Sequence, residues 1–282
     1  MFITECPRDA MQGWPKPIPT DLKIKYINAL MDVGFDVLDC ASFVSPRAVP
    51  QMADSGDVVD AIDKSRSDTK LSVIIANYRG AEKALAHDNV DFLGFPFSIS
   101  ETFQHRNTNK SREEAFEEIV AMLSLIKDKK QELILYCSMA FGNPYGEAWD
   151  PKEVDEWAQR FAEAGVKTIM LSDTTGVANP EKIELLFSEI PNKYPQINFG
   201  AHFHNRYDQS YPKLKAAYDN GCRRFDTAIK GIGGCPMAKD ELVGNMPTEQ
   251  LINFLQHEKI PNKLNLLNFE SAWNIAKDIF KF

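Results

Sequence analysis

Short apolar runs recur along the chain, with amphipathic segments between them. Eight runs have the length and apolar character of buried strands: residues 2–6, 35–42, 71–76, 90–98, 132–138, 168–174, 198–204 and 223–229. Residues 134–137 are apolar at every position rather than at alternate positions, which is typical of a parallel strand buried on both faces. The pattern therefore predicts eight strands of a parallel sheet.

The segments between these runs carry start and stop signals for helices. Thr20 is predicted as the N-cap of an amphipathic segment. Ser111 precedes a longer amphipathic segment that has acidic residues in its first turn. Pro151 and Pro180 each stand at the first turn of a further segment, and Gly165 ends the earlier of the two. A helix is thus predicted after nearly every strand.

Strands and helices alternate in units of about 35 residues, and eight such units nearly fill the 282 residues. This arithmetic predicts an α/β fold, a TIM (β/α)8 barrel, which typically takes about 250 residues. A doubly wound sheet is the alternative. Residues 248–282 are predicted to form two more helices, packed outside the barrel or over its top. We expect a single catalytic domain over residues 1–282.

Charge and cysteine content exclude several classes of function. The formal net charge is −8 without a basic cluster, so nucleic acid is not an expected partner. Apolar runs stay short of the roughly 18 residues that a membrane span needs. The five cysteines form no CxxC pair, which argues against a disulfide framework or a four-cysteine zinc site. The N-terminal residues resemble neither a signal nor a transit peptide, so a cytosolic protein is expected.

In a TIM barrel, functional residues follow the C-terminal ends of the strands. His202 and His204 lie at the end of the seventh predicted strand, and residues two apart on a strand face the same side. Both imidazoles can therefore reach one metal ion. Two core histidines with satisfied hydrogen bonds would give the same pattern, and both interpretations stay open at this point.

Two further clusters fall at predicted strand ends. Arg8 and Asp9 follow the first strand: the guanidinium suits a carboxylate or an enolate oxygen, and the carboxylate suits Mg²⁺ or Mn²⁺. A surface ion pair at a turn is the alternative.

After the last strand, a glycine-rich segment precedes Cys235 and Asn245. A thiol near a metal can exchange protons, although most free cysteines are small buried hydrophobes. An asparagine amide oxygen can complete a set of two nitrogens and two oxygens, which favours Mg²⁺ or Mn²⁺ over structural zinc.

These motifs resemble those of the hydroxymethylglutaryl-CoA lyase family, within a superfamily of metal-dependent lyases and Claisen synthases on TIM barrels. The matching segments run in order along the chain: PRDAMQ at 7–12, SFVSP at 42–46, SDTTGV at 172–177, HFH at 202–204 and GIGGCP at 231–236. GIGGCP with a downstream asparagine is the specific part, because it separates this family from the condensing synthases that share the other motifs.

The resemblance implies a role for each matching residue. The implied metal ligands are Asp9, His202, His204 and Asn245. The implied substrate contacts are Arg8, Gln12, Ser42 and Thr174. Arg8 would also stabilise an enolate oxygen, and Cys235, on a loop that closes over the substrate, would help proton transfer. Asp173 and Thr174 orient ligands or simply form a strand-end turn.

The reaction that the resemblance implies is the cleavage of an acyl-CoA, 3-hydroxy-3-methylglutaryl-CoA, to acetyl-CoA and acetoacetate. A divalent metal would activate the tertiary hydroxyl, and His202 or Asp39 would take its proton. Leucine degradation and ketone-body formation both fit this reaction. A homodimer is expected on family analogy alone.

The chain departs from the family pattern at three positions. Ala10 replaces a glycine, Asp39 replaces a glutamate, and Asn205 replaces an aspartate. Two rival interpretations follow: a related aldolase or acyl-CoA-dependent condensing synthase with the same metal site, and a barrel that binds ligands without catalysis. Product analysis would separate the first rival, and metal content would separate the second.

Overall fold

The computed structural model describes residues 1–234 and 243–282. All eight predicted strands are present and parallel: β1 (Phe2–Glu5), β2 (Val37–Ser42), β3 (Lys70–Ile74), β4 (Phe92–Ser98), β5 (Glu132–Ser138), β6 (Thr168–Asp173), β7 (Asn198–Asn205) and β8 (Arg224–Thr227). Each strand pairs with the next along the chain, and β8 pairs with β1 in the register Phe2↔Arg224. The sheet closes on itself as a TIM barrel, which confirms the predicted fold class.

Helices surround the barrel: α1 (Pro7–Gln12), α2 (Thr20–Met31), α3 (Ser55–Asp60), α4 (Tyr78–Ala84), α5 (Glu101–Thr108), α6 (Arg112–Ile126), α7 (Pro151–Ala164), α8 (Pro180–Lys193), α9 (Ser210–Asp219), α10 (Thr248–His257) and α11 (Leu266–Phe280). The two C-terminal helices pack on the outside, α10 against α9 and α11 against α2. Within the two described ranges, no helix has both the length and the apolar character needed to cross a bilayer.

Local sequence signals place most of the helix ends. Ser111 forms a capping box with Glu114 at the start of α6, and Gly165 ends α7 with a φ of +92°. The N-cap prediction for Thr20 is wrong, because Thr20 is the first residue of α2 and follows a proline. Its hydroxyl donates to Oδ2 of Asp54 at 2.6 Å. This tertiary hydrogen bond uses the side chain that would otherwise cap the helix.

Apolar side chains fill the interior of the barrel below the C-terminal end. Ile134, Tyr136 and Met170 form a cluster of their own, separate from the larger core between strands and helices. The ring of Tyr136 meets the ring of His202 edge-on, with centroids 5.5 Å apart. This apolar cluster fills the barrel below the C-terminal end, where a cavity offers space for a ligand.

Two irregularities of the sheet were not predicted. The register between β2 and β3 shifts between Asp39 and Ala41, which is a β-bulge. A short strand, β9 (Gly244–Asn245), pairs antiparallel with the end of β7, with Asn245 opposite His204. Both irregularities lie at the C-terminal end of the barrel, where they position side chains of the candidate site.

Candidate metal and substrate site

A cavity of about 510 Å³ opens at the C-terminal ends of the strands. It is lined by seven of the predicted site residues: Arg8, Asp9, Gln12, Ser42, Thr174, His202 and His204. Asp39 lies behind this lining against Arg8, and Asn245 lies against Asp9. Cys235 lies outside the described residues. The fold thus brings together nine side chains that the sequence motifs had singled out from distant parts of the chain.

The two imidazoles are held through their Nδ1 atoms. Nδ1 of His204 lies 2.8 Å from the carbonyl oxygen of Thr174, and Nδ1 of His202 lies 3.1 Å from Oδ2 of Asp226. Because these oxygens only accept, each Nδ1 carries the hydrogen and each Nε2 keeps a free lone pair. Nε2 of His204 is buried and has no hydrogen-bond partner in the part of the chain that the structure describes. This arrangement fits a metal ligand better than a core histidine with satisfied hydrogen bonds.

Asp9 completes a compact group of nitrogen and oxygen atoms. Asp9, His202 and His204 each offer one ligand atom, and these atoms lie within 4.8 Å of one another. Asp9 is the third residue of α1, where Oδ1 accepts from Nε2 of Gln12 at 2.7 Å and from Nη1 of Arg8 at 3.0 Å. The two donors fix the carboxylate beside the imidazoles, so the group fits a divalent metal ion.

The pKa shifts in this group agree with a ligand role. Burial alone would raise the pKa of Asp9, but Arg8 and the two imidazoles outweigh it and lower the pKa. Burial and the neighbouring His202 lower the pKa of His204. Burial also acts to lower the pKa of His202, but the carboxylate of Asp226 reverses this and raises it. An anionic Asp9 and a neutral His204 therefore face the cavity.

Asn245 reaches the group through β9. Its Nδ2 donates to Oδ2 of Asp9 at 2.6 Å and to the carbonyl of Ile232 at 3.0 Å. A rotation of the amide by half a turn would present its oxygen to the same side. Gly233 packs against both residues, since a Cβ there would lie 2.6 Å from Nδ2 of Asn245 and 2.9 Å from the carbonyl oxygen of Asp9. This close approach explains the glycine.

Arg8 and Asp39 form a buried ion pair beside the candidate metal-binding group of Asp9, His202 and His204. Nε of Arg8 lies 3.2 and 3.1 Å from the two carboxylate oxygens of Asp39, and Nη2 also donates to Oδ2. Burial acts to lower the pKa of Arg8, but Asp39 and Asp9 outweigh it and raise the pKa, so the side chain stays cationic. The bidentate contact fixes the guanidinium plane at the cavity wall.

The bulge in β2 lets Asp39 and Ser42 serve the same site. In a regular strand, residues three apart face opposite sides of the sheet. The extra residue between Asp39 and Ala41 reverses the alternation. Asp39 therefore contacts Arg8, while Ser42 lines the cavity.

Thr174 and Asp173 act mainly on other protein groups. The hydroxyl of Thr174 accepts from the backbone N–H of Met139 at 3.0 Å, while its carbonyl holds His204. Asp173 is fully buried and accepts from Nζ of Lys213 at 2.7 Å, and the same Nζ donates to the carbonyl of His204 at 3.0 Å. The strand-end turn at Asp173 is thus also a support for His204.

Sequence reasoning missed Asp226 and Lys213. An aspartate within a predicted strand was the only sequence signal for Asp226, and the structure shows it buried as the register partner of His202. Asp226 also joins Cys6 and His202 in a second group of ligand atoms within 4.8 Å of one another. Burial and nearby carboxylates raise the pKa of Cys6 well above its ordinary value, so its thiol stays protonated. That second group is therefore a poor metal site.

Two of the departures from the family pattern lie away from the cavity. Ala10 packs into the hydrophobic core beneath α1. Nδ2 of Asn205 donates to the carbonyl of Arg206 at 2.7 Å and to the hydroxyl of Ser210 at 2.8 Å. The third departure, Asp39, contacts Arg8 in the cavity wall through its side chain.

Comparisons with known proteins agree on one family. A family model described as HMGL-like matches residues 2–276. The mitochondrial hydroxymethylglutaryl-CoA lyase of Mus musculus is 33% identical over 92% of this chain and 79% of its own length. The cytoplasmic 3-hydroxy-3-methylglutaryl-CoA lyase of Rattus norvegicus is 33% identical over 88% of this chain and 72% of its own length.

A solved structure shows the same architecture. It is an HMG-CoA lyase from Acinetobacter baumannii in complex with coenzyme A and 3-methylmalate, and it superposes with a TM-score of 0.92 at 30% identity. The superposition covers 99% of this chain and 90% of that one. With the family match over nearly its whole length, this chain belongs to the HMGL-like family.

Proposed function

We propose that this chain is a divalent-metal-dependent carbon–carbon lyase that cleaves 3-hydroxy-3-methylglutaryl-CoA to acetyl-CoA and acetoacetate. One observation carries the proposal. The buried Nε2 of His204, free of a hydrogen-bond partner among the described residues, stands with Asp9 and His202 in the cavity that Arg8 lines. A metal group beside a fixed cation is what an enolate-forming cleavage needs.

Asp9, His202 and His204 would hold the metal, and Asn245 would add its amide oxygen after the amide turns. Two nitrogens and two oxygens without a thiolate favour Mg²⁺ or Mn²⁺. When bound, the ion supplies Lewis acidity that makes the tertiary hydroxyl of the substrate easier to deprotonate. The protein fixes both imidazoles through Asp226 and Thr174, so that Nε2 faces the ion.

Two groups remain candidates for receiving the hydroxyl proton. Asp226 raises the pKa of His202 and would stabilise its cationic form. Burial raises the pKa of Asp39, with Asp9 and Asp226 adding to the effect and Arg8 opposing it. Asp39 is held by Arg8 behind the cavity wall, so a proton would reach it along that ion pair or through water. Nε2 of His202 would be bound to the metal ion and its Nδ1 already carries a hydrogen toward Asp226, so we propose Asp39, which also holds Arg8, as the proton acceptor.

Arg8 would then offset the negative charge of the acetyl-CoA enolate, because its guanidinium is oriented before the reaction begins. Cys235 would supply the proton that converts this enolate to acetyl-CoA. That role rests on the GIGGCP motif alone. Breaking the C–C bond leaves its electron pair on the acetyl carbon, and the thiol proton goes to that carbon.

The cavity volume suits a small-molecule substrate, since such sites span about 300–1,000 Å³. Gln12 and Ser42 would contact the acyl group, whereas Thr174 would act by orienting His204. The coenzyme A bound to the relative supports an acyl-CoA substrate. We further propose a cytosolic enzyme, as in the rat relative, acting as a homodimer without membrane or nucleic-acid partners.

The test is product analysis with 3-hydroxy-3-methylglutaryl-CoA. We expect equal amounts of acetyl-CoA and acetoacetate with Mg²⁺ or Mn²⁺, and none after chelation. The Cys235→Ala variant should lose roughly 10²–10⁴-fold in kcat, the range for a general acid. Cys222→Ala is the matched control, because Cys222 is buried beneath β8 and its thiol donates to the carbonyl of Arg224. Cleavage of a 2-oxo acid instead of the acyl-CoA would favour an aldolase and reject the lyase.

A further inference from the structure

Glu5 is a buried carboxyl group for which the catalytic scheme has no use. It ends β1 and is fully buried, and its register partner is Thr227, next to Asp226 on β8. Because Asp226 points into the barrel, where it contacts His202, Thr227 and Glu5 face the opposite side, toward the outer helices. Burying a carboxyl group is costly unless it is hydrogen-bonded, so its partners indicate what it does.

Two of the three hydrogen-bond partners of Glu5 lie at the two ends, called the roots here, of the segment that joins β8 to α10, and the third is the hydroxyl of Thr227 at 3.3 Å. Oε1 accepts from the backbone N–H of Ile229 at 2.8 Å, and Oε2 accepts from the hydroxyl of Thr248 at 2.6 Å. Ile229 begins the turn after β8, and Thr248 is the first residue of α10. One side chain therefore joins the outgoing and the returning chain.

Backbone hydrogen bonds connect these roots to the metal-binding group. The N–H of Thr248 donates to the carbonyl of Ala228 at 3.1 Å, and the N–H of Ala228 donates to the carbonyl of Met246 at 3.0 Å. The N–H of Met246 donates to the carbonyl of Phe203 at 2.9 Å. Asn245 stands between these contacts and His204, so the roots set the place of β9 against β7.

The turn after β8 packs tightly against Asn245 and its neighbours. Gly231 has a φ of +65°, and a Cβ there would lie 2.6 Å from the carbonyl oxygen of Asn245. A Cβ on Gly244 would lie 2.3 Å from the carbonyl oxygen of Gly231. Gly233, two residues on, packs directly on Asn245 and Asp9. A shift of the turn at Ile229 must therefore move the ligand atoms as well.

We infer that Glu5 is a positioning residue for the metal-binding group: by holding Ile229 and Thr248, it sets the place of Asn245 beside Asp9. The inference rests on the proposed function in that Asn245 and Asp9 are taken as metal ligands. Supporting groups behind metal ligands typically change metal affinity by 10–100-fold when they are removed. Loss of the hydrogen bonds of Glu5 to Ile229 and Thr248 should weaken Mn²⁺ binding by about tenfold.

The experiment measures the dissociation constant for Mn²⁺ with the full-length chain, by the electron paramagnetic resonance signal of free Mn²⁺. Glu5→Met keeps the size of the side chain and removes the acceptors. Glu5→Gln keeps an acceptor for Ile229 and a partner for Thr248. Asp36→Leu is the matched control, because Asp36 accepts from the N–H of Ile3 at 2.8 Å near the opposite end of β1. Urea unfolding of each variant verifies folding.

We expect about tenfold weaker binding for Glu5→Met, near-normal binding for Glu5→Gln, and no change for Asp36→Leu. Normal Mn²⁺ binding by a folded Glu5→Met variant overturns the inference. If Glu5→Met does not fold, Thr248→Val decides, since it removes one of the two contacts: weaker binding supports the inference and normal binding overturns it.

The two proposals fail in different ways. A wild-type chain that binds no Mn²⁺ overturns the metal centre and the role of Glu5 together. A chain that binds Mn²⁺ more weakly after Glu5→Met, yet does not cleave the acyl-CoA, supports the role of Glu5 and rejects the lyase. Cleavage by a wild-type chain whose Glu5→Met variant binds Mn²⁺ normally keeps the lyase and rejects the role of Glu5.

Discussion

His202 and Asp226 are register partners on β7 and β8, and Nδ1 of His202 lies 3.1 Å from the Asp226 carboxylate. The contact fixes the tautomer in which Nε2 of His202 can bind a metal ion. It also explains why a fully buried strand carries an aspartate. The candidate metal-binding group is therefore supported by Asp226 of β8, the strand next to the one that carries both histidines.

Removing this support should weaken metal binding. In Asp226→Asn the amide can donate as well as accept, so the tautomer of His202 is no longer fixed. We expect Mn²⁺ affinity to fall about 10–100-fold, measured by isothermal titration calorimetry. Asp60→Asn is the control, because Oδ1 of Asp60 contacts Nδ1 of His87 at 2.7 Å away from the cavity. Equal affinities for the two variants would contradict a role for Asp226.

The Arg8–Asp39 pair should matter for stability because it is buried. Asp39→Asn leaves the guanidinium of Arg8 with less compensation, and breaking a buried pair costs about 3–5 kcal/mol. The exposed pair of Arg66 and Asp32 is also bidentate: Nε of Arg66 lies 2.8 Å from Oδ1 of Asp32, and Nη2 donates to Oδ2. Asp32→Asn should cost less than about 1 kcal/mol. Urea unfolding of both variants tests this, and similar losses would contradict it.

Gly233 should tolerate no side chain. Its φ is +107°, and a Cβ would collide with Asn245 and Asp9. Gly165 is the matched position, with a φ of +92° and open space around the added carbon. We expect Gly165→Ala to cost about 1 kcal/mol of stability without changing Mn²⁺ affinity, whereas Gly233→Ala should also weaken Mn²⁺ binding about tenfold or more. Equal Mn²⁺ affinities would show that Gly233 does not contact the ligand group as described.

Glu5 should make stability depend on pH. Burial raises its pKa from 4.5 to about 8, with Glu249 adding to the effect, while hydrogen bonds from Thr248, Ile229 and Thr227 oppose it. The folded chain therefore keeps a proton that the unfolded chain releases between pH 4.5 and about 8. The free energy of unfolding then falls as pH rises through this window, by up to about 1.4 kcal/mol per pH unit. The Glu5→Gln variant has no carboxyl group at this position and therefore lacks this titration.

Urea unfolding of the wild type and of Glu5→Gln at several pH values measures the effect. The stability of Glu5→Gln relative to the wild type should rise from pH 5 to about pH 8 and then level off. Tyr26 from α2 and Glu249 from α10 are titratable groups that face Glu5. Both are present in the wild type and in Glu5→Gln, so the comparison of the two proteins reports on Glu5. Parallel profiles would mean that Glu5 titrates near its ordinary pKa.

The sequence was sufficient for the eight strands, because a strand buried on both faces leaves a continuous apolar run such as residues 134–137. It was also sufficient to predict that His202 and His204 lie on one face of a strand, because residues two apart on a strand face the same side. It was not sufficient to predict the role of Thr20, whose hydroxyl donates to Asp54, the residue before α3. The bulge after Asp39 and the β9 pairing of Asn245 depend on contacts between distant segments, which have no local signal.

The role of the supporting residues could not be predicted for a similar reason. Lys213 reaches His204 from α9, and Glu5 reaches α10 from β1, so each acts across elements that are far apart in the chain. In the sequence, each is one charged residue among many. Only the closed barrel shows that both are buried and point at the backbone around the metal-binding group.

The central claim is that Asp9, His202 and His204 hold the metal of a lyase. The most direct measurement is the rate of acetyl-CoA release from 3-hydroxy-3-methylglutaryl-CoA as Mn²⁺ is added back to metal-stripped wild type and His204→Gln. We expect the wild-type rate to rise from near zero to a plateau, and His204→Gln to need at least about tenfold more Mn²⁺. Full activity of the stripped wild type, or superimposable titrations of the two chains, would contradict the claim.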